Sequence, residues 1–218
     1  MIDQWKFMSS PRFVARVDLI EMVSGLLLVL FMFGHTLMLS TIHFGPEAFN
    51  SLAKVLEKPP LYMAQVGGVG VAVLVLIHLV TAGRKLPSRV REQTMIWRLA
   101  KQLRHTDTWL WLVQAVTGMI LLLFAAIHLW VVLTTFPIDA MKSAMLVAQS
   151  YGYLYILMIP IVYLHVGVGL YRAVTKWTSF NHRVGSAIMW GLTGVLLLLG
   201  YSTLVTFWSH GIGVSPRF

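Results

Sequence analysis

Long runs of apolar residues, separated by short polar connections, dominate the chain. A helix needs about 20 such residues to cross the hydrocarbon core of a membrane. Five runs satisfy that length, at residues 20–40, 62–83, 110–134, 152–174 and 187–209. Because lipid offers no hydrogen-bonding partner to a peptide group, each run is predicted to be an α-helix. The pattern predicts an all-α integral membrane protein, a five-helix bundle forming one domain over residues 1–218.

The positive charges lie unevenly in the polar connections. Of the 17 Lys and Arg residues, thirteen fall on one side of the predicted topology, in 1–19, 84–109 and 172–186, and four fall on the other. Connections rich in Lys and Arg remain in the cytoplasm. We therefore expect a cytoplasmic N-terminus and a C-terminus outside. No nucleic-acid partner is expected despite the net charge of +9, because the cations flank apolar runs.

The connection 84–109 combines Arg and Lys with apolar residues. This composition predicts a short helix lying at the membrane surface. Its function is either to anchor the chain by its charge or to dock a partner subunit. Pro160 lies inside the fourth run and predicts a kink there. The spacing of the runs shows no evident internal repeat.

Four histidines lie inside four of the apolar runs, where a polar side chain is costly and asks for a function. Successive spans alternate in direction, so His35 and His128 fall near the outer ends of their helices, and His78 and His165 fall in inner halves. With a rise of ~1.5 Å per residue in a core of ~30 Å, the two levels lie roughly 15 Å apart. Two imidazoles at each level predict axial ligands for two stacked haems.

These histidines also fit roles that involve no haem. A histidine within a membrane can be a hydrogen-bonded polar residue, and zinc suits the site less because no Cys or carboxylate lies at these depths. The chain contains no Cys, which excludes thioether attachment of haem and ligation of an Fe–S cluster. Any haem would therefore be of the b type, and any Fe–S cluster would belong to another subunit.

Two kinds of residue accompany the ligands at helical spacing. Gly67 shares a face with His78, and Gly169 shares a face with His165, which would leave room for a macrocycle or serve plain helix packing. Arg172 and Lys176 follow His165 on its stripe and reach the inner interface. There they would contact haem propionates or, alternatively, lipid phosphates.

Acidic residues are few, and none lies in the middle of a span. This argues against an ion pump, which needs buried acids as relays. Glu47 and Glu57 lie in the outer connection 41–61, near the outer histidine pair. Either carboxylate could accept protons released by an oxidised quinol, or be a solvated loop charge. Position alone gives Glu57 no advantage over Glu47.

Four stretches of the chain resemble the di-haem cytochrome b membrane anchor of menaquinol:fumarate reductases, in the succinate dehydrogenase/fumarate reductase cytochrome b family. The resemblance covers about residues 17–180. It is carried by FGHTLMLSTI at 33–42, RKLP at 84–87, RHTDTWLWLVQAVTG at 104–118, and LHVGVGLYR at 164–172 followed by KW at 176–177.

The resemblance implies a function and a set of partners. Menaquinol would be oxidised near the outer face, and electrons would pass through two bis-histidine haems to an Fe–S subunit on the cytoplasmic side. A flavoprotein subunit would reduce fumarate, so that FAD and Fe–S clusters belong only to partner subunits of this oxidoreductase. The expected location is the inner membrane of a bacterium, and the complex could be dimeric.

The resemblance also assigns residues. The haem ligands of the family fall on His35, His78, His128 and His165. Its menaquinol-oxidising glutamate falls on Glu57, and its propionate-contacting Trp and Lys fall on Trp111 and Lys176.

The chain departs from the family at two places. It has Glu21-Met22 where the family often has Gln-Ser. It has Tyr163 where some members carry a glutamate assigned to a transmembrane proton path. We therefore expect that this subunit lacks that path or uses another group to compensate charge.

Further functional classes remain open from the sequence. The chain could be the cytochrome b subunit of a succinate:menaquinone reductase, a hydrogenase or a formate dehydrogenase. It could also be a membrane anchor or transporter without haem. The sequence leaves open the physiological direction, the haem potentials, the quinone type and the oligomeric state.

Overall fold

The computed structural model describes residues 10–59, 63–87, 89–179 and 181–212, and every regular element within them is helical. In chain order the α-helices are α1 (Pro11–Ser40), α2 (Pro46–Glu57), α3 (Met63–Gly83), α4 (Val90–Leu103), α5 (Thr106–Thr134), α6 (Ala140–Leu146), α7 (Gly152–Trp177) and α8 (His182–Gly211). A 3₁₀ turn, Thr41–Phe44, follows α1, and a π-helical turn, Val147–Tyr151, joins α6 to α7.

The five predicted spans are confirmed as helices long and apolar enough to cross a membrane: α1, α3, α5, α7 and α8. Residue 62, the predicted first residue of the second span, lies outside the described residues. The helices α1 and α8 start earlier than the apolar pattern suggests, because polar side chains cap them. Ser10 accepts a hydrogen bond from the Phe13 N–H, and Asn181 accepts one from the Arg183 N–H.

The connections contain more helix than the sequence pattern predicts. The surface helix expected in 84–109 is confirmed as α4, whereas α2 and α6 were expected to be plain connections. Both short helices pack on α8 and the 3₁₀ turn, at the end of the bundle where α1 and α5 finish. The resulting core contains Ile42, Phe49, Ala53, Ala140, Ala144, Val147, Leu204 and Phe207. We call this the outer end of the bundle.

Pro160 lies inside α7, and the helix continues on both sides of it. Proline has no N–H, so the carbonyl of Ile156, four residues earlier, loses its normal partner. The Tyr201 hydroxyl, on α8, donates a hydrogen bond of 2.9 Å to that carbonyl. A side chain from the neighbouring helix thus satisfies the gap that proline creates, as membrane interiors require.

Large apolar side chains cover the outside of the bundle. Leu30, Val80 and Leu198 are 69%, 72% and 76% exposed, and each lies within a long helix. In water such a surface would drive aggregation, whereas in a bilayer it faces lipid tails. The exposed apolar girdle therefore supports a membrane location for the five long helices.

The long helices form two hairpins. α1 packs along α3, and α5 packs along α7, while α8 packs mainly on α7. Each hairpin carries two of the four intramembrane histidines, one near each end. The site therefore depends on how the two hairpins face each other.

Candidate cofactor site

The outer histidine pair comes from the two helices that finish at the outer end. The rings of His35, on α1, and His128, on α5, have their centroids 5.9 Å apart. A nitrogen–metal bond of about 2 Å, with about 1 Å more to each ring centre, puts two imidazoles on one iron about 6 Å apart. The spacing of the two rings is therefore compatible with the predicted pair of haem ligands, which stays a prediction.

Neighbouring rings hold the outer pair. Tyr155, on α7, places its hydroxyl 3.2 Å from Nδ1 of His128. Phe31 stacks on the His35 ring one helical turn away, with 5.5 Å between centroids. Tyr155 therefore orients one imidazole of the pair through a hydrogen bond, and Phe31 orients the other through its face.

The inner histidines each meet a hydroxyl group on the other helix of their own hairpin. Ser24, on α1, lies 3.1 Å from Nδ1 of His78 on α3. Thr117, on α5, lies 3.0 Å from Nδ1 of His165 on α7. Each inner histidine is thus held by a hydroxyl within its own hairpin.

Glycines next to these hydroxyls leave room for the inner rings. A Cβ added at Gly25 would lie 3.1 Å from Cε1 of His78, and one added at Gly118 would lie 3.1 Å from Cε1 of His165. Helical spacing along single spans instead predicts Gly67 and Gly169 beside the ligands. A Cβ added at Gly67 would meet open space, and one added at Gly169 would meet the Gln114 amide, so the role proposed for these two glycines stays a prediction.

The separation of the two levels follows from α1 itself. Ser24 contacts the inner ligand His78, and His35 is the outer ligand eleven residues later on the same helix. Eleven residues at ~1.5 Å each put the levels of Ser24 and His35 roughly 16–17 Å apart along this helix.

The donor set fits haem rather than a multi-ligand metal site. No cluster of three or more His, Cys, Asp or Glu suited to a metal ion occurs in the described part of the chain. Haem iron needs only two ligands from the protein, and two histidines at each level would be enough to hold it. An amide oxygen at the inner level, Gln114 Oε1, is buried without a hydrogen-bond partner, and such an orphaned polar atom fits the wall of a cofactor pocket.

Ion pairs close the inner end of the bundle. Asp18, on α1, pairs with Arg84, with Lys85 at 3.1 Å and with Lys176 at 2.8 Å. Lys85 also lies 2.5 Å from the Glu21 carboxylate. Lys176, a candidate propionate contact, is therefore engaged with α1 and remains exposed on one side. These pairs join α1, α7 and the end of α3.

The other two candidate propionate contacts lie at the same end. Arg172 is half-buried and interacts electrostatically with Glu21 and Asp107. Trp111 is half-buried in the early turns of α5, one turn before Gln114. Both residues lie toward the inner end of the bundle, between the inner histidines and the ion pairs of Asp18.

Glu57 is the last residue of α2, at the outer end. Its Oε1 accepts a hydrogen bond of 2.7 Å from the N–H of Ile138, in the connection that follows α5. Nearby, the Asn50 amide donates to Asp139 and accepts from the Ala140 N–H. Glu57 thus contacts the connection that follows α5, the helix of His128, whereas Glu47 lies in the first turn of α2.

Sequence reasoning missed Ser24, Thr117 and Tyr155, which contact the imidazoles. The sequence contains a pattern that points to two of them. Ser24 and Thr117 each precede an outer ligand by eleven residues and so share its helix face. No such pattern points to Tyr155, since its partner lies on another helix.

Comparison with known proteins supports this architecture. No protein-family model matches the chain. The fumarate reductase cytochrome b subunits of two Helicobacter pylori strains are 31% and 30% identical to it over 209 residues, covering 91% of this chain and 82% of theirs. The same subunit of Wolinella succinogenes is 30% identical over 181 residues, covering 78% of this chain and 70% of its own.

These relatives are bacterial, and the similarity extends over most of the chain. With its five long apolar helices the chain is a multi-pass protein of the bacterial inner membrane. The chain belongs to the family of fumarate reductase cytochrome b subunits.

Proposed function

We propose that this membrane anchor binds two haem b groups, one between His35 and His128 and one between His78 and His165. Bound haem supplies a one-electron carrier whose iron takes two axial imidazoles. The observation that carries the proposal is the outer pair, whose ring spacing of 5.9 Å suits two ligands of one iron. A reduced-minus-oxidised visible spectrum with haem quantitation tests it. Two haems per chain are expected, and no haem band would favour a haem-free anchor.

The orientation of the subunit in the membrane follows from charge. The connections with most Lys and Arg, including α4, lie at the end opposite Glu57 and so face the cytoplasm in this proposal. In the direction that the family resemblance implies, menaquinol would be oxidised at the outer end, and bound haems would supply the electron path to the inner end. An Fe–S subunit docked at the cytoplasmic end would receive the electrons, and a flavoprotein subunit would reduce fumarate.

Arg172, Lys176 and Trp111 are proposed to bind the propionates of the inner haem. All three lie at the cytoplasmic end, and two of them are cationic. The Lys176 ammonium already binds one carboxylate, that of Asp18, at 2.8 Å. A propionate placed there would find the same kind of partner.

Glu57 is proposed to accept the protons of menaquinol. Its position at the outer end, beside the connection that follows α5, supports this role. Glu57→Gln keeps an oxygen that accepts the Ile138 N–H but removes the basic carboxylate. We expect quinol oxidation to fall by about 100-fold or more, as for loss of a general base, with both haems retained. Quinol-oxidation rate and haem content in the purified complex provide the measurement.

A matched control comes from the same helix. Glu47→Gln makes the same chemical change in the first turn of α2 and is expected to leave the quinol-oxidation rate near that of the wild type. Normal turnover in Glu57→Gln would reject the role given to Glu57. An equal loss in Glu47→Gln would show that any change of charge at the outer end has this effect.

A further inference from the structure

The residues that contact the inner imidazoles occupy matching positions in α1 and α5. Residues 21–35, EMVSGLLLVLFMFGH, and residues 114–128, QAVTGMILLLFAAIH, are identical at six of 15 positions. Both begin with Glu or Gln, continue with a hydroxyl residue followed by Gly, and end on an outer ligand. The chain thus contains a short repeat that the spacing of its apolar runs does not reveal.

The two copies make the same contacts. In each copy the hydroxyl meets Nδ1 of the inner ligand on the next long helix, at 3.1 Å for Ser24 and 3.0 Å for Thr117. In each copy the following glycine leaves the space that the same imidazole occupies. The two segments are therefore similar in their contacts as well as in their sequence.

The hydroxyl hydrogens are already committed within their own helices. Ser24 donates to the Glu21 carbonyl at 3.0 Å, and Thr117 donates to the Val113 carbonyl at 2.7 Å. Each hydroxyl oxygen can therefore only accept from the imidazole. It follows that Nδ1 of the ring carries the hydrogen, and that Nε2 keeps its lone pair.

A third contact agrees with this tautomer at His165. The Gln114 side-chain nitrogen, a donor, lies 3.3 Å from Nε2 of that ring. A donor on the Nε2 side and an acceptor on the Nδ1 side both require the hydrogen on Nδ1. Nε2 then carries the lone pair, which faces the Gln114 amide in this structure and is the atom that would bind iron.

We propose that Ser24 and Thr117 are positioning residues that fix the tautomer and the ring orientation of the two inner haem ligands. The proposal rests on the function proposed above, in which His78 and His165 bind the inner haem. Groups that accept a hydrogen bond from the second nitrogen of a ligating histidine raise its basicity and hold its plane. The repeat thus gives α1 and α5 two tasks each: one outer ligand, and one acceptor for an inner ligand.

The test uses Ser24→Ala and Thr117→Val in the intact complex. Both variants remove the acceptor, and the ligands become less basic. We expect the midpoint potential of one haem to rise and its retention to fall by about tenfold, while the other haem keeps its potential. The same haem should respond in both variants. Potentiometric titration, haem content and low-temperature EPR of the ferric haems provide the readouts.

Each variant has a control on its own helix. Ser40 donates to the Leu37 carbonyl in α1, and Thr134 donates to the Trp130 carbonyl in α5, and within the described residues neither hydroxyl contacts a histidine ring. Ser40→Ala and Thr134→Val are expected to leave both haem signals unchanged. The substitutions Ser24→Thr and Thr117→Ser retain the hydroxyl, so both haems should keep their wild-type midpoint potentials.

The outcomes separate the two proposals. Two haems in the wild type, with both signals unchanged in Ser24→Ala and Thr117→Val, would overturn the positioning role alone. The same shift in the Ser40 or Thr134 controls would overturn it as well. Wild-type protein purified without any haem would overturn the proposed function, and the positioning role with it.

Discussion

At the scale of the residue, a buried imidazole must satisfy two nitrogens, and the two levels of this bundle do so differently. The inner rings each meet an aliphatic hydroxyl on the adjacent helix, that of Ser24 or Thr117. At the outer level, His128 meets the phenol of Tyr155, while His35 has Phe31 against its face. The chemical environment of the ligands therefore differs between the two levels.

Removing the phenol should affect the outer level only. In Tyr155→Phe, Nδ1 of His128 loses its acceptor, so the ligand becomes less basic. We expect the midpoint potential of the outer haem to rise, with the inner haem unchanged. Potentiometric titration measures the midpoint potentials of the two haems separately. Tyr153→Phe, at an exposed tyrosine of the same helix, is the control, and an identical shift there would remove Tyr155 from this role.

The residue scale also shows where sequence reasoning stops. The four histidines and their depths can be predicted, because depth depends only on position along a span. The partners of the rings depend on how helices rotate about their axes, which no single span encodes. For this reason the spacing along a span indicates Gly67 and Gly169, whereas it does not indicate Gly25 and Gly118, which lie against the imidazoles from the neighbouring helix.

At the scale of the element, the long apolar runs predict the five spans, because hydropathy dominates over about 20 residues. The short helices α2 and α6 were missed, although they begin with recognisable signals. Pro46 starts α2, and Asp139 caps α6 by accepting from the Lys142 N–H. Within a polar connection such signals also fit turns. In the structure Phe49 of α2 packs against Phe207 of α8, a contact that the sequence of the connection alone does not predict.

A prediction at this scale concerns the gap at Pro160. Tyr201→Phe removes the donor to the Ile156 carbonyl, and we expect the free energy of unfolding to fall by about 1 kcal/mol. In the Pro160→Ala variant the backbone N–H of residue 160 can donate to the Ile156 carbonyl. Adding Tyr201→Phe to that variant should therefore have almost no effect on the free energy of unfolding. Thermal unfolding of all four proteins in detergent forms a double-mutant cycle. Equal losses in both backgrounds would show that the hydroxyl acts elsewhere.

At the scale of the whole molecule, the bundle offers little to carry a proton beside the electrons. Tyr163, at the position where some members of the family have a glutamate, donates to Thr36 at 2.8 Å, and Thr36 donates to the Met32 carbonyl at 2.8 Å. This short chain of hydroxyls ends on a helix carbonyl. It therefore supports the expectation that the subunit lacks the glutamate route.

The corresponding prediction is electrical. In the proposed function menaquinol would leave its protons outside while electrons move inward, so turnover of the complex in proteoliposomes should build a membrane potential, positive on the outer side. A voltage-sensitive dye, with an ionophore as control, measures it. Tyr163→Phe should show the same potential as the wild type. Electroneutral turnover of the wild type would show that a proton accompanies each electron and would contradict this expectation.

The division of ligands between the hairpins has a consequence for biogenesis. Each of α1, α3, α5 and α7 carries one of the four proposed ligands, and each proposed pair joins a helix of the first hairpin to a helix of the second. Under the proposed function, neither half of the chain would supply both ligands of a haem. Each bound haem would link the two hairpins. In a cell starved of iron all five spans would insert into the membrane, but the two hairpins would lack these links. Porphyrin supply would then decide how much finished subunit escapes proteolysis.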